Sequence, residues 1–207
     1  MSPSPIRNIV FDIGNVVVRW DPTLIIERTF EQPDQTERIR DAIFGHPIWF
    51  SLNRGEVTEP EAKQAYANAL GLADDVLEKL FFHIKDSQSL RDDTIALMSS
   101  LQAQDYRLFA LTDNVHEIVQ YLKETYPFWT MFEHATVSAD VGTLKPSAEI
   151  FHHLLSTNEL AAEETLFFDD VPKNVAGAKQ VGMNAFVFDD AATAIRDLRS
   201  LGVSVTP

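Results

Sequence analysis

From about residue 93 onward the chain alternates short apolar runs with amphipathic segments. A helix over about 93–104 is followed by YRLFALT, VHEIVQYLKET, HATVSA, SAEIFHHLLST, TLFFDD, NVAGAKQVG, NAFVFDD and AATAIRDLRSLG. A short unbroken apolar run suits a strand buried on both faces, and a helix between successive runs is what a parallel crossover requires. Residues 6–11, IRNIVF, supply one more such strand, closed by Asp12 and a Gly14-Asn15 turn. The pattern predicts an α/β fold built on a doubly wound parallel sheet.

The stretch between the first strand and the rest reads differently. PTLIIERTF, QTERIRDAIF, EPEAKQAYANAL and ADDVLEKLFFHI carry apolar residues at helical spacing, with Asp34, Thr58 and Asp74 as N-cap candidates and Gly45, Gly55 and Gly71 at the breaks. We expect a core of residues 1–19 and 91–207 interrupted by an all-helical unit over 20–90. Residues 1–5, rich in Ser and Pro, are expected to fray. A chain of 207 residues, 45% hydrophobic, has enough apolar material for such a core.

Composition removes several classes of function. The formal net charge of −14 repels nucleic-acid phosphates and anionic lipid, so neither nucleic acid nor membrane is expected as a partner. With no Cys, disulfides, thiolate catalysis and thiolate metal sites are excluded. The start, MSPSPIRNIVFD, lacks the apolar region of a signal peptide, and no apolar run approaches the ~18 residues of a membrane span. The expectation is a cytoplasmic monomer or homodimer. No GxSxG, GxGxxG, P-loop or HExxH is present, and the adjacent His152 and His153 are read as structural or surface residues.

Ligands of doubly wound sheets bind beyond the carboxyl ends of the strands. Three strands deliver polar or anionic groups there: Asp12, then Thr112-Asp113-Asn114, then Asp169-Asp170. Two carboxylates ~4 Å apart cost about 4 kcal/mol at an effective dielectric of 20, a cost that a divalent cation removes. Mg²⁺ is the expected ion, because it takes oxygen ligands, needs only one or two carboxylates and keeps positions for water and phosphate. A small phosphorylated substrate follows. Since the net charge repels it, local attraction must come from the metal, from Lys145 in GTLKPSAEIF, and from the free N–H groups where the helix after Asn114 begins.

The order FDIGN, LTDN, LKP and FFDD, the last followed by VPKNVAGAKQVGM, resembles the haloacid dehalogenase (HAD) superfamily across nearly the whole chain. The helical unit then resembles the cap domain inserted after the first motif. The forms FDIGNVVVRWDP and LNRGEVTEPEA are most similar to an α-D-glucose-1-phosphate phosphatase-like subgroup. The resemblance implies strand order 5-4-1-2-3 and assigns roles to matching positions. Asp12 would be the nucleophile, forming an aspartyl-phosphate, and a metal ligand. The Gly14 carbonyl and Asp170 would be further ligands, with Asp169 beside them in an indirect or water-mediated role. Thr112 would hold the phosphoryl group with the backbone around Asp113 and Asn114. Lys145 would offset negative charge on Asp12 and the phosphoryl oxygens, and Asn174 would support the metal loop.

One position departs from the pattern. Most phosphatases of the superfamily carry Asp two residues after the nucleophile as general acid and base, and here that position is Gly14. Losing such a group costs ~10²–10⁴ in rate. Three readings stay open: a phosphatase acting on an easier leaving group, a hexose 1-phosphate being one candidate; a 2-haloacid dehalogenase, whose halide leaves unprotonated; and a silent member that binds a metabolite or a protein. The retained Asp169-Asp170 favours the first over the dehalogenase branch, which resembles a metal-free site. The retained Asp12, Lys145 and Asp170 argue against the silent member. Asp21 is a candidate replacement acid, although an Asp-Pro turn at the cap hinge is the favoured reading.

Other acidic pairs compete. Asp74-Asp75 and Asp92-Asp93 adjoin helices and read as caps or solvated surface. Asp189-Asp190 also ends a strand, but in the implied strand order it lies about twice the 4.8 Å strand spacing from Asp12, too far to share an ion bound at ~2.1 Å. It is read as the cap of the last helix. In the helical unit, Trp49 and Phe50 are expected to pack the cap interior. Arg54, with Glu56, is carried as a substrate-binding candidate that could read sugar hydroxyls.

Overall fold

A computed structural model describes residues 6–30 and 32–205; the fraying expected of residues 1–5 lies outside them. Five strands form one parallel sheet: β1 (Asn8–Phe11), β2 (Arg107–Thr112), β3 (His134–Val137), β4 (Thr165–Asp169) and β5 (Asn184–Val187). Their order is β3-β2-β1-β4-β5, every neighbouring pair being parallel. This is the order 5-4-1-2-3 that the resemblance implied.

Side-chain alternation explains why both faces are covered. Ile9, Phe11, Leu108, Ala110, Leu166 and Phe168 enter one apolar cluster, whereas Val10, Phe109, Leu111, Phe167 and Ala185 enter another. The strands are buried on both faces, so they read as continuous apolar runs. The helices that cover the sheet are α6 (Asp92–Gln102), α7 (His116–Thr125), α9 (Ala148–Thr157), α10 (Pro172–Gln180) and α11 (Ala191–Ser200), with a one-turn α8 (Ser138–Val141) after β3. HATVSA therefore contains only four strand residues before the chain turns helical.

Between β1 and α6 run α1 (Pro22–Thr29), α2 (Thr36–Phe44), α3 (Pro47–Asn53), α4 (Glu59–Leu70) and α5 (Asp74–Asp86). Thr58 is the N-cap of α4 in a full capping box with Glu61. Asp34 and Asp74 are each off by one residue or more. Asp34 sits inside a 3₁₀ turn over Pro33–Gln35, and Asp74 is the first residue of α5, placed where its charge meets the helix N-terminus. Asp21 is the N-cap of α1, its Oδ1 accepting from Leu24 N at 3.0 Å.

The chain enters and leaves this helical stretch through two paired segments. Arg19 N donates to Ser89 O at 2.8 Å and Arg91 N donates to Val17 O at 2.9 Å. Gly55, just beyond α3, adopts φ +66°, and a Cβ there would lie 2.3 Å from Ala139 O. Only glycine lets the insertion come this close to α8. No helix of the described residues is long and apolar enough to cross a membrane.

Candidate active site

Register brings the acids together. Phe11 is level with Phe168, and Asp12 N continues the pairing by donating to Phe168 O at 2.9 Å. Asp12 thus leaves β1 beside the point where β4 ends in Asp169 and Asp170. Carboxylate oxygens of all three lie within 4.8 Å of one another.

Lys145 organises the cluster. Its Nζ lies 2.9 Å from Asp12 Oδ1 and 2.7 Å from Asp169 Oδ2, and it donates to Leu111 O at 3.3 Å. Its backbone N donates to Asp113 Oδ1 at 3.0 Å, which ties the Lys145 loop to the end of β2. Gly177 of α10 lets that loop approach, since a Cβ there would meet Pro146 O at 2.7 Å. Asp12 Oδ1 also accepts from Ile13 N at 2.7 Å, while Oδ2 receives no donor from the described residues.

Asp169 is fully buried and saturated. Its Oδ1 accepts from Val171 N at 2.8 Å and Asn174 Nδ2 at 3.0 Å, and its Oδ2 accepts from Lys145 and Asn174. Asp170 is less enclosed and holds one internal bond, from Asn15 Nδ2 to Oδ2 at 3.1 Å. Asn174 Oδ1 is buried and has no hydrogen-bond partner among the described residues. A buried acceptor without a donor is costly, and a water carried by a cation would satisfy it. With oxygen donors only, and two carboxylates retaining free oxygens, the residues fit a hard divalent cation such as Mg²⁺.

Burial dominates the titration of these groups. It pushes Asp12 up to about 8, against the attraction of Lys145 and with the repulsion of Asp169. Asp113 and Asp170 are also raised, chiefly by burial. Burial alone would lower Lys145, but the fields of Asp12, Asp169 and Asp113 outweigh it and raise its pKa. The ammonium is therefore held charged, and a cation entering the cluster would favour ionised carboxyl groups.

Asp12, Lys145, Asp170 and Asn174, with the buried Asp169 behind them, line a cavity of about 310 Å³. Thr112, Asp113 and Asn114 stand on its floor with Gly14, Lys145 and Asp170. Asn114 Oδ1 is engaged by Val115 N at 2.9 Å, and its own N donates to Ser138 Oγ, which in turn donates to Asn53 O at 2.6 Å. Ser138 so fastens the end of α3 to the sheet.

Arg54 and the aromatic residues of the insertion fall in different places. Arg54 does not line the cavity. Its Nε donates to Glu56 Oε1 at 2.6 Å on the surface, which draws Glu56 down to about 2. Trp49 and Phe50 do line it, together with Trp20, Asn53 and Gln88. Trp49 also packs on Trp20 and Phe44, so interior packing and cavity lining coincide in one residue. Asp21 is spent capping α1 and lies outside the cavity.

Asn15 is the site residue that sequence reading placed only in a turn. It sits at φ +56°, and its Oδ1 accepts from Trp20 N at 2.9 Å while its Nδ2 holds Asp170. Asn tolerates the left-handed region better than most residues, which is the one local signal it offered.

Fold and rim define a class: α/β proteins with a parallel sheet that gathers carboxylates and a lysine at the ends of adjacent strands. Residues 25–188 match the family model of haloacid dehalogenase-like hydrolases, and the chain belongs to that family of enzymes. It is similar to the sesquiterpene phosphatase astK of Aspergillus oryzae, 26% identical over 196 residues that cover 93% of this chain and 94% of that one. The D-ribitol-5-phosphate phosphatase of Bacteroides thetaiotaomicron is 24% identical over 200 residues, 90% of this chain and 94% of the relative. A HAD family enzyme from Bacteroides thetaiotaomicron, solved in complex with magnesium and inorganic phosphate, shares the fold with a TM-score of 0.76 at 18% identity, covering 89% of this chain and 95% of that one.

Proposed function

We propose that the protein is a Mg²⁺-dependent phosphomonoester hydrolase of a small phosphorylated metabolite, with Asp12 as nucleophile. The observation that carries this is the division of labour within the cluster. Asp12 Oδ1 is held by Lys145 and Ile13 N, Oδ2 receives no donor from the described residues, and an oxygen of Asp12 lies within 4.8 Å of one from Asp170. A carboxylate fixed on one oxygen and open on the other is prepared to attack in a single direction.

Asp12, Asp170 and the Gly14 carbonyl would hold the ion, while the saturated Asp169 positions Lys145 and Asn174. When bound, Mg²⁺ would neutralise phosphoryl charge and favour the ionised form of Asp12. One carboxylate oxygen of Asp12 attacks phosphorus as the bond from phosphorus to the departing ester oxygen breaks, giving an aspartyl-phosphate, and the other oxygen remains for the ion. Lys145 stabilises the charge on the phosphoryl oxygens, and Thr112 with the backbone at Asp113 holds them. Water then releases phosphate and restores the Asp12 carboxylate. The helices α1–α5 serve as a cap that excludes bulk water over the rim.

Relatives named for a sesquiterpene and for ribitol 5-phosphate support phosphatase chemistry and differ in the leaving group. The forms FDIGNVVVRWDP and LNRGEVTEPEA support a place near the α-D-glucose-1-phosphate phosphatase-like members. A leaving group more acidic than a primary alcohol suits a site with Gly14 at the acid position. The test is hydrolysis of 4-nitrophenyl phosphate with Mg²⁺ and with EDTA, for the native chain and Asp12→Asn. Turnover should require Mg²⁺ and vanish in the variant while its thermal melt stays cooperative. Chloride release from a 2-chloro acid in EDTA would select the dehalogenase instead.

A further inference from the structure

The strand rim sets the phosphoryl end of a substrate, and the helical insertion meets its other end. Building on the phosphatase proposal for this same cavity, we propose that its preferred substrates are aryl phosphates, monoesters of a flat, apolar and acidic hydroxyl.

The insertion's contribution to the cavity is aromatic. The indoles of Trp20 and Trp49 lie nearly parallel, with centroids 5.9 Å apart and planes at 11°. Phe44 packs edge-on to both, at 5.5 and 5.1 Å, which fixes them as a rigid surface. Phe50, 43% exposed, adds a more open ring beside the half-buried indoles. Such faces take up another ring by offset stacking or edge contact.

Polyols find little there. Each of the two amides on this wall gives one N–H to the backbone, Asn53 Nδ2 to Trp49 O at 2.8 Å and Gln88 Nε2 to Ile84 O at 3.0 Å, which leaves few groups to serve a ring of hydroxyls. Arg54 is turned to Glu56 on the surface. Hydroxyls buried against this wall would lose water without regaining a full set of partners.

The missing acid points the same way. Gly14 has no side chain, and no titratable side chain of the insertion lines the cavity. The bond from an Asp12 carboxylate oxygen to phosphorus forms as the bond from phosphorus to the aryl oxygen breaks. The electron pair leaves on a phenoxide, which takes its proton from water. A phenoxide leaves this way far more readily than an aliphatic alkoxide, which needs a proton donor.

The experiment compares kcat/KM in Mg²⁺ for 1-naphthyl phosphate, glucose 1-phosphate, geranyl phosphate and acetyl phosphate, whose small leaving group does not reach the wall. It adds inhibition of acetyl phosphate turnover by benzylphosphonate and methylphosphonate, which report ring binding without bond cleavage. The expected result is a preference of at least about tenfold for 1-naphthyl over glucose 1-phosphate and geranyl phosphate, and a similar advantage for benzylphosphonate over methylphosphonate. Trp49→Ala should lower the ratio of 1-naphthyl to acetyl phosphate turnover by about tenfold. Equal inhibition by the two phosphonates, or glucose 1-phosphate or geranyl phosphate matching the aryl ester, overturns the substrate class alone. Absence of Mg²⁺-dependent phosphate release from all four compounds overturns the phosphatase proposal and this one with it.

Discussion

Lys145 shows how one side chain can decide the behaviour of several others. Its side chain is 1% exposed, and an ammonium so enclosed would normally lose its proton. Asp169 at 2.7 Å keeps it charged, joined by Asp12 at 2.9 Å once that carboxyl ionises, and it in turn holds Asp12 by a single oxygen. Lys145→Met keeps the stem and removes the charge. Its kcat on 4-nitrophenyl phosphate should fall about 10²–10³-fold, the usual cost of one lost donor to a phosphoryl or oxyanion centre. A variant that keeps a cooperative melt and more than a tenth of native turnover would strip Lys145 of that role. Asp12 and Asp170 could be read from sequence because each directly follows an apolar strand. Asn15 could not, because its meaning lies in a bond to Asp170, 155 residues away.

The two acidic pairs that end β4 and β5 separate because of strand order, which no local pattern contains. β4 pairs with β1 and so with Asp12, whereas β5 pairs only with β4. Asp190 is instead the N-cap of α11, its Oδ1 accepting from Thr193 N at 2.6 Å. Asp190→Ala should therefore cost about 1 kcal/mol of stability in a urea titration and leave Mg²⁺-dependent turnover in place. Asp170→Ala should do the reverse, losing metal-dependent turnover while the urea midpoint changes little or rises. Equal loss of activity in both variants would contradict the assignment of the metal to β4. Long helices such as α4 and α5 announced themselves by periodicity. The seven-residue α3 is too short for that, its start marked only by His46 and Pro47. With α3 unread, the direction of its side chains was unreadable too, and Arg54 was expected where Trp49 and Phe50 stand.

The whole chain carries a formal charge of −14, yet its most consequential carboxyl is one that resists ionising. Burial raises Asp12 from 3.8 to about 8 in the folded state. A raised acid binds its proton more tightly when folded, so its contribution to stability is complete below about 3.8 and is lost as pH rises through about 8. His83 works in the opposite sense. Burial lowers it from 6.5, so it adds stability as pH rises toward 6.5 and nothing further above that. The clean window is therefore pH 6.5 to 8, where the raised Asp12 remains and His83 has finished. With EDTA present, stability should decline across it by about 1–2 kcal/mol, read as a falling thermal midpoint. Mg²⁺ should reverse the decline, and raise the midpoint more at pH 8 than at 6.5, because its ligands must first lose their protons. A metal-free midpoint that stays level or climbs across this window would mean that Asp12 is already ionised without the ion. The cation would then not be what turns this buried carboxyl into a nucleophile.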